Sequence, residues 1–252
     1  MGSTFTLGTL GFDPISPGLD IIHNTPGDAN IYKFNTTRTE NLNLLVKNIS
    51  QADSLKIELF EDKDGNGAIN TGDALIQQTS CGTTSDKNPT NDGTINRRDL
   101  AAGNYLVRVT SNNHNGDATY SLDAAVSLNS TDNRLLARNS EMGTLTSDRN
   151  FTGSVNDFNM NNFYHFNLEA GKEVKISMTM DGGDADMRVF SDKNHNQRVD
   201  LTGTELSSSP ASHNNGSTPE FITLNTPGDY YLEVKQFTPG AFITTHVNFD
   251  VV

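Results

Sequence analysis

Oxygen-bearing side chains fall at positions 1, 3, 5, 9 and 12 of the twelve-residue stretch DKDGNGAINTGD: Asp62, Asp64, Asn66, Asn70 and Asp73. Gly67 stands at position 6, where a calcium loop turns sharply, and Ala68 at position 7 offers its backbone carbonyl. This is the ligand spacing of an EF-hand-type loop, closed by Asp in place of Glu. Ca²⁺ is a hard ion that takes about six to eight oxygens, and a short loop curling round it can supply most of them. Asp, Asn and Gly are also the ordinary residues of surface turns, because they tolerate left-handed backbone and bond locally. Five oxygen positions together with the glycine are a narrower pattern than a turn requires, so the spacing predicts a Ca²⁺ site.

The chain repeats itself. Ile31-Tyr32-Lys33-Phe34-Asn35 returns as Phe163-Tyr164-His165-Phe166-Asn167, and Gly8-Thr9-Leu10 as Gly143-Thr144-Leu145. Leu59-Phe60-Glu61-Asp62-Lys63 returns as Val189-Phe190-Ser191-Asp192-Lys193, and the strand-like run from Gly103 to Val109 as Gly228 to Val234. The order is kept, which predicts two homologous domains, 1–130 and 131–252. The second acidic turn carries side-chain oxygens at Asp192, Asn194, Asn196 and Asp200, with Arg198 at the backbone-carbonyl position. Gln197 replaces the glycine, at a cost of order 1–2 kcal/mol if the backbone there is left-handed. Gly203 falls at position 12, so Asp200 or Glu205 would have to close a shell around Ca²⁺. Two further acidic groups, Asp181/Asp184/Asp186 and Asp157 with Asn159, Asn161 and Asn162, read more simply as solvated turn chemistry.

The elements that must hold these loops alternate with period two. Leu55, Ile57 and Leu59 are separated by Lys56 and Glu58; Tyr105, Val107 and Val109 by Leu106 and Arg108. Tyr120, Leu122, Ala124 and Val126 follow the same rule, as do Val174, Ile176, Met178 and Met180, and Val247, Phe249 and Val251. Short alternating runs are strands with one face on a core. Turn signals such as Pro26-Gly27-Asp28, Gly182-Gly183 and Pro227-Gly228-Asp229 punctuate them. The pattern predicts an all-β chain of two tandem jelly-roll-like β-sandwich domains. Leu135 to Glu141 is the best short helical candidate, or else a linker turn.

Three landmarks occur in order in both halves. They are an aromatic strand (Ile31 to Asn35; Phe163 to Asn167), a strand running into an acidic turn (Leu55 to Asp62; Met187 to Asp192), and a Gly-x-Tyr strand (Gly103 to Val109; Gly228 to Val234). In this the chain resembles the bacterial pre-peptidase C-terminal domain family, small sandwiches attached to exported peptidases and other exported proteins. The collagen-binding modules of clostridial collagenases, which bind calcium, look like relatives; the Asn/Thr-rich style is similar to that of modules of cyanobacterial exported proteins. The resemblance implies a non-catalytic accessory role in adhesion or substrate binding, with an extracellular polymer or protein surface as partner.

Composition narrows the classes. The net charge of −13 argues against nucleic acid and anionic membrane as partners, since both call for Lys/Arg patches. Cys81 is the lone cysteine of 252 residues, which leaves no intrachain disulfide. No apolar run approaches the roughly eighteen residues of a membrane span, and the opening MGSTFTLGTLG lacks the basic and apolar regions of a signal peptide. Secretion or a cell-surface location is therefore read from the loop and the resemblance. There is no His-Glu-x-x-His motif and no Gly-x-Ser-x-Gly elbow. The expectation is a monomeric calcium-binding module without catalysis; the alternative is a fragment of a secreted calcium-dependent peptidase or hydrolase whose active site is unrecognised or lies elsewhere.

Overall fold

The computed structural model describes residues 2–50, 54–82, 91–112, 116–128, 133–200 and 210–252. The chain divides into two compact units, Met1–Ile95 with Asp99–Leu135, and Asn96–Arg98 with Leu136–Val252. The described residues form strands and turns without a helix, the all-β architecture expected from the alternation.

The strands of the first unit are β1 (Thr4–Thr9), β2 (Leu19–Ile22), β3 (Ala29–Thr36), β4 (Glu40–Lys47), β5 (Ser54–Glu61), β6 (Ala74–Gly82), β7 (Gly93–Leu100), β8 (Gly103–Ser111) and β9 (Ala118–Ser127). They make a five-stranded sheet in the order β1-β3-β8-β5-β6 and a four-stranded sheet in the order β2-β9-β4-β7. The alternating residues named above meet between these sheets: Leu55, Ile57, Leu59, Val107 and Val109 from one face, Tyr120, Leu122 and Ala124 from the other, all essentially inaccessible to solvent. Each such aliphatic side chain stabilises the fold by about 1.5–3 kcal/mol of transfer free energy.

The second unit repeats the plan strand for strand. It contains β10 (Ser140–Thr144), β11 (Arg149–Val155), β12 (Asn161–Leu168), β13 (Val174–Asp181), β14 (Ala185–Ser191), β15 (Ala211–Ser212), β16 (Glu220–Leu224), β17 (Gly228–Gln236) and β18 (Ile243–Val251). Its sheets run β10-β12-β17-β14-β15 and β11-β18-β13-β16, which is the first unit's order shifted by nine strands. Val174, Ile176, Met178, Val247 and Phe249 fill its core. In both units the first strand is an edge that pairs parallel to the third, with a register shift after Thr6 and after Glu141 respectively.

The helical candidate Leu135 to Glu141 is not a helix. Leu135 forms an isolated bridge, and Ser140 and Glu141 open edge strand β10, where pairing with β12 decides the conformation. The boundary expected between residues 130 and 131 lies outside the described residues, which leave out 129–132.

The Gly-x-Tyr landmark has a physical cause. The Tyr105 hydroxyl donates to the carbonyl of Ala101 at 2.8 Å, and that of Tyr230 to the carbonyl of Thr226 at 2.9 Å. Each ring thereby folds back over the glycine that opens its strand. A Cβ on Gly228 would stand only 3.2 Å from the Tyr230 ring. The glycine makes room for a tyrosine corner that pins the turn to the strand.

Candidate metal centre

Strand β5 delivers Asp62 at its end, and the Asp62 N–H donates to the Asn104 carbonyl at 3.0 Å, so the loop leaves the sheet from a fixed point. Gly65 and Gly67 take positive φ of 68° and 71°, which reverses the chain within the loop. The Gly67 N–H donates to Asp62 Oδ2 at 2.9 Å, and the Ala68 N–H to Asn66 Oδ1 at 2.7 Å. Asp64 accepts from the Asn66 N–H at 3.1 Å and from the Asn70 amide at 2.9 Å. Those hydrogen bonds, the Asn66 backbone first and the Asn70 side chain next, hold the Asp64 carboxyl below its usual range. Asp73 accepts from Asn70 N–H at 2.8 Å and Lys63 N–H at 3.2 Å, which closes the loop on itself.

Carboxylate oxygens of Asp62, Asp64 and Asp73 come within 4.8 Å of one another, the cluster of this kind found among the described residues. Two oxygens bound to one Ca²⁺ at about 2.3–2.6 Å can stand at most about 5 Å apart, so the cluster has the dimensions of a single coordination shell. Asp62 is buried, and its Oδ1 has no hydrogen-bond partner. A buried carboxylate oxygen without a partner costs on the order of 1–3 kcal/mol, a cost that a bound cation would remove. Asn66 and Asn70 both donate their side-chain amide to Asp64 Oδ2, at 2.7 and 2.9 Å, while their oxygens accept the Ala68 and Gly72 N–H groups, so each must rotate its amide to present an oxygen to a cation. Asp62, Asp64 and Asp73 therefore fit a hard divalent cation in charge and spacing, and Asn66 and Asn70, once rotated, with the Ala68 carbonyl, would complete its oxygen shell.

The loop of the second unit copies the backbone of the first with different residues. His195 and Gln197 take positive φ of 56° and 59°, the positions of Gly65 and Gly67. The strain at Gln197 is met by anchoring: its carbonyl accepts the Leu136 N–H at 2.9 Å, and its side-chain amide donates to the Leu136 carbonyl at 3.2 Å. Asp192 is almost wholly buried, and both its oxygens are engaged, Oδ1 by the Asn196 N–H at 3.1 Å and Oδ2 by the Gln197 N–H at 2.9 Å. Asn194 donates to Asp200 at 2.7 Å, and the Arg198 N–H to Asn196 Oδ1 at 2.7 Å. Asp192, Asn194, Asn196, Arg198 and Asp200 are thus brought together, but the orphan oxygen of the first loop has no counterpart at Asp192. Glu205 lies outside the described residues.

The other acidic groups have protein partners, though Asp184 keeps a buried Oδ1 without one. Asp157 accepts from the Gly240 N–H at 3.0 Å, Asn159 donates to Asn162 at 2.8 Å, and Asn161 to Glu233 at 2.5 Å. Asp186 pairs with His213 at 3.3 Å, and Asp184 accepts the Gly216 N–H at 3.0 Å.

A charged network beside the second loop escaped the sequence reading. His165 on β12 lies between Glu141 of β10, 2.5 Å from Nδ1, and Asp229 of β17, 2.8 Å from Nε2. The Nε2 contact is an ion pair without good hydrogen-bond alignment. His195 approaches the other Asp229 oxygen at 3.3 Å. Burial disfavours the imidazolium, yet Asp229 and Glu141 outweigh it and push His165 up to about 9. Burial would raise Glu141, but its bonds to His165 and the Gly143 N–H hold it below its usual range. Because both ring nitrogens face carboxylates, neither is left to take a proton from a hydroxyl, so this is no hydrolytic triad. Cys81 is buried, and burial followed by the charge of Asp92 pushes its thiol up to about 12, which makes it unreactive.

Residues 161–236 match the family model of the bacterial pre-peptidase C-terminal domain, the β12–β17 region of the second unit. Among solved structures, the pre-peptidase C-terminal domain of a collagenase from Bacillus anthracis is similar at 18% identity, over 45% of this chain and 93% of that one, with a TM-score of 0.31. Tripeptidyl peptidase 2 is similar at 9% identity over 96% of this chain and 24% of that one, with a TM-score of 0.32. The exported protein XepA is similar at 8% identity over 96% and 88%, also with a TM-score of 0.32. No curated protein matches the chain. Among the described residues, no helix is long and apolar enough to cross a membrane.

Proposed function

We propose that the chain is a calcium-clamped, non-catalytic accessory module of an exported bacterial protein, serving adhesion or substrate binding at an extracellular polymer or protein surface. The observation that carries the calcium is the unpartnered, buried Asp62 Oδ1 among three carboxylates in a loop with calcium-ligand spacing. The accessory role is supported by the pre-peptidase C-terminal domain at 161–236. The loop joins two strands of a rigid sheet, so calcium acts here as a clamp on the β5–β6 connection and not as an opener of helices. Thermal unfolding with chelator and with millimolar Ca²⁺ tests the reading. Calcium raises the unfolding temperature of the parent and leaves Asp62→Ala unmoved; equal temperatures for the parent in both buffers would refute it.

A further inference from the structure

The first unit has an open cleft of about 280 Å³ beside its loop, with Thr6, Lys33, Asn35, Asp62, Gly65 and Asn104 in its lining. Four of these residues stand where the second unit carries its charged network. Thr6 pairs in register with Lys33 as Glu141 does with His165, and Asn35 pairs with Asn104 as Asn167 does with Asp229. Gly65 shares its loop position and left-handed backbone with His195. The second unit thus surrounds a cation with two carboxylates of its own. The first unit keeps a cation, Lys33, and replaces both carboxylates with Thr6 and Asn104.

Lys33 is half-buried, and its Nζ lies 2.6 Å from where a Cβ on Gly67 would sit, against the loop wall. It makes no ion pair among the described residues. A partly desolvated ammonium beside amide donors is a carboxylate receptor. We propose that this cleft binds a single carboxylate of a peptide, with Lys33 as its counter-ion and the Asn35 and Asn104 amides as neighbouring donors.

The ligand class follows from the same comparison. Carboxylates are what the second unit places round the equivalent cation, and one of them, Glu141, comes from edge strand β10. Its counterpart β1 is likewise an edge, along which an extended peptide can lie. A net charge of −13 repels polyanions at long range; within a screening length of about 8 Å a ligand carboxylate meets Lys33 but also Asp62 in the lining and Asp64 and Asp73 in the loop, so only a singly charged group is accommodated. Calcium in the adjacent loop adds positive charge and strengthens the binding, but the cleft exists without it.

The test is an amide-resolved NMR titration of the full chain with a capped, otherwise neutral pentapeptide containing one Glu, against its Gln twin, in chelator and again in calcium. Saturable shifts at Thr6, Lys33 and Asn104 are expected with the Glu peptide, and affinity about tenfold weaker with the Gln twin or in Lys33→Gln. Thr6→Glu with Asn104→Asp supplies both anions internally and abolishes binding while the amide spectrum stays folded. Absence of saturable shifts, equal affinity for the two peptides, unchanged affinity in Lys33→Gln, or binding of trigalacturonate in place of the peptide would each overturn the proposal. A failed calcium site shows separately, as unmoved Asp62 and Asp64 amides on adding Ca²⁺, and leaves peptide binding in chelator intact.

Discussion

Asp62 and Asp192 occupy the same place in the two loops, yet only Asp62 keeps an unpartnered buried oxygen. One backbone N–H makes the difference, since Asn196 donates to Asp192 where Asn66 donates to Asp64 alone. Asp62→Asn preserves the shape and the bond to Gly67 and removes a charge. In chelator it is expected to change stability by less than about 0.5 kcal/mol, and at a hundredfold excess of Ca²⁺ over Kd it forgoes about 2.7 kcal/mol of stabilisation, read from urea unfolding. Gly67 is the residue of the loop least open to change. Its φ of 71° is left-handed, and a methyl there would displace Lys33. Gly67→Ala is expected to cost about 1–2 kcal/mol by the same measurement. The sequence marks Gly67 plainly; it hides the fact that Gln197 takes the same conformation, because anchoring to Leu136 overrides local preference.

Strands β5, β8 and β9 were legible because one face of each is apolar and the other is not, so Leu55, Tyr105 and Tyr120 point to the core in turn. Strand β4 was less so: Leu42, Leu44 and Val46 alternate into the core, but Leu45 blurs the polar face and all eight residues are buried. Edge strands β1 and β10 were also hidden: their parallel partners lie more than twenty residues away, and nothing local fixes that pairing. The same distance concealed Glu141, His165 and Asp229, which come from three strands. A signal was present in the repeat, where the matching positions hold Thr6, Lys33 and Asn104. Two outcomes belong to this scale. Tyr230→Phe, which leaves the Thr226 carbonyl without its donor, is expected to cost about 1 kcal/mol in equilibrium unfolding. His165 has its folded pKa raised from 6.5 to about 9, so the imidazolium contributes fully below pH 6.5 and its contribution is lost as pH rises to about 9. Glu141, lowered from 4.5, contributes above that value and loses its share as pH falls. The unfolding temperature of the second unit therefore declines from pH 6.5 to 9, and His165→Gln flattens that decline.

The whole molecule is one nine-strand plan used twice with different chemistry at the same corner. The second unit fills that corner with its own ions and anchors its loop to Leu136, which makes the corner self-sufficient. The first unit leaves a carboxylate oxygen and a lysine without partners, which points to ligands from outside. Calcium should accordingly stabilise the two units unequally, with the first unit alone gaining. Calorimetric titration of Ca²⁺ into the chelator-treated chain tests this most directly. One ion per chain is expected at millimolar calcium or below, abolished by Asp62→Ala and kept in Asp192→Ala. Absence of binding at millimolar calcium, or binding that survives Asp62→Ala, would contradict it.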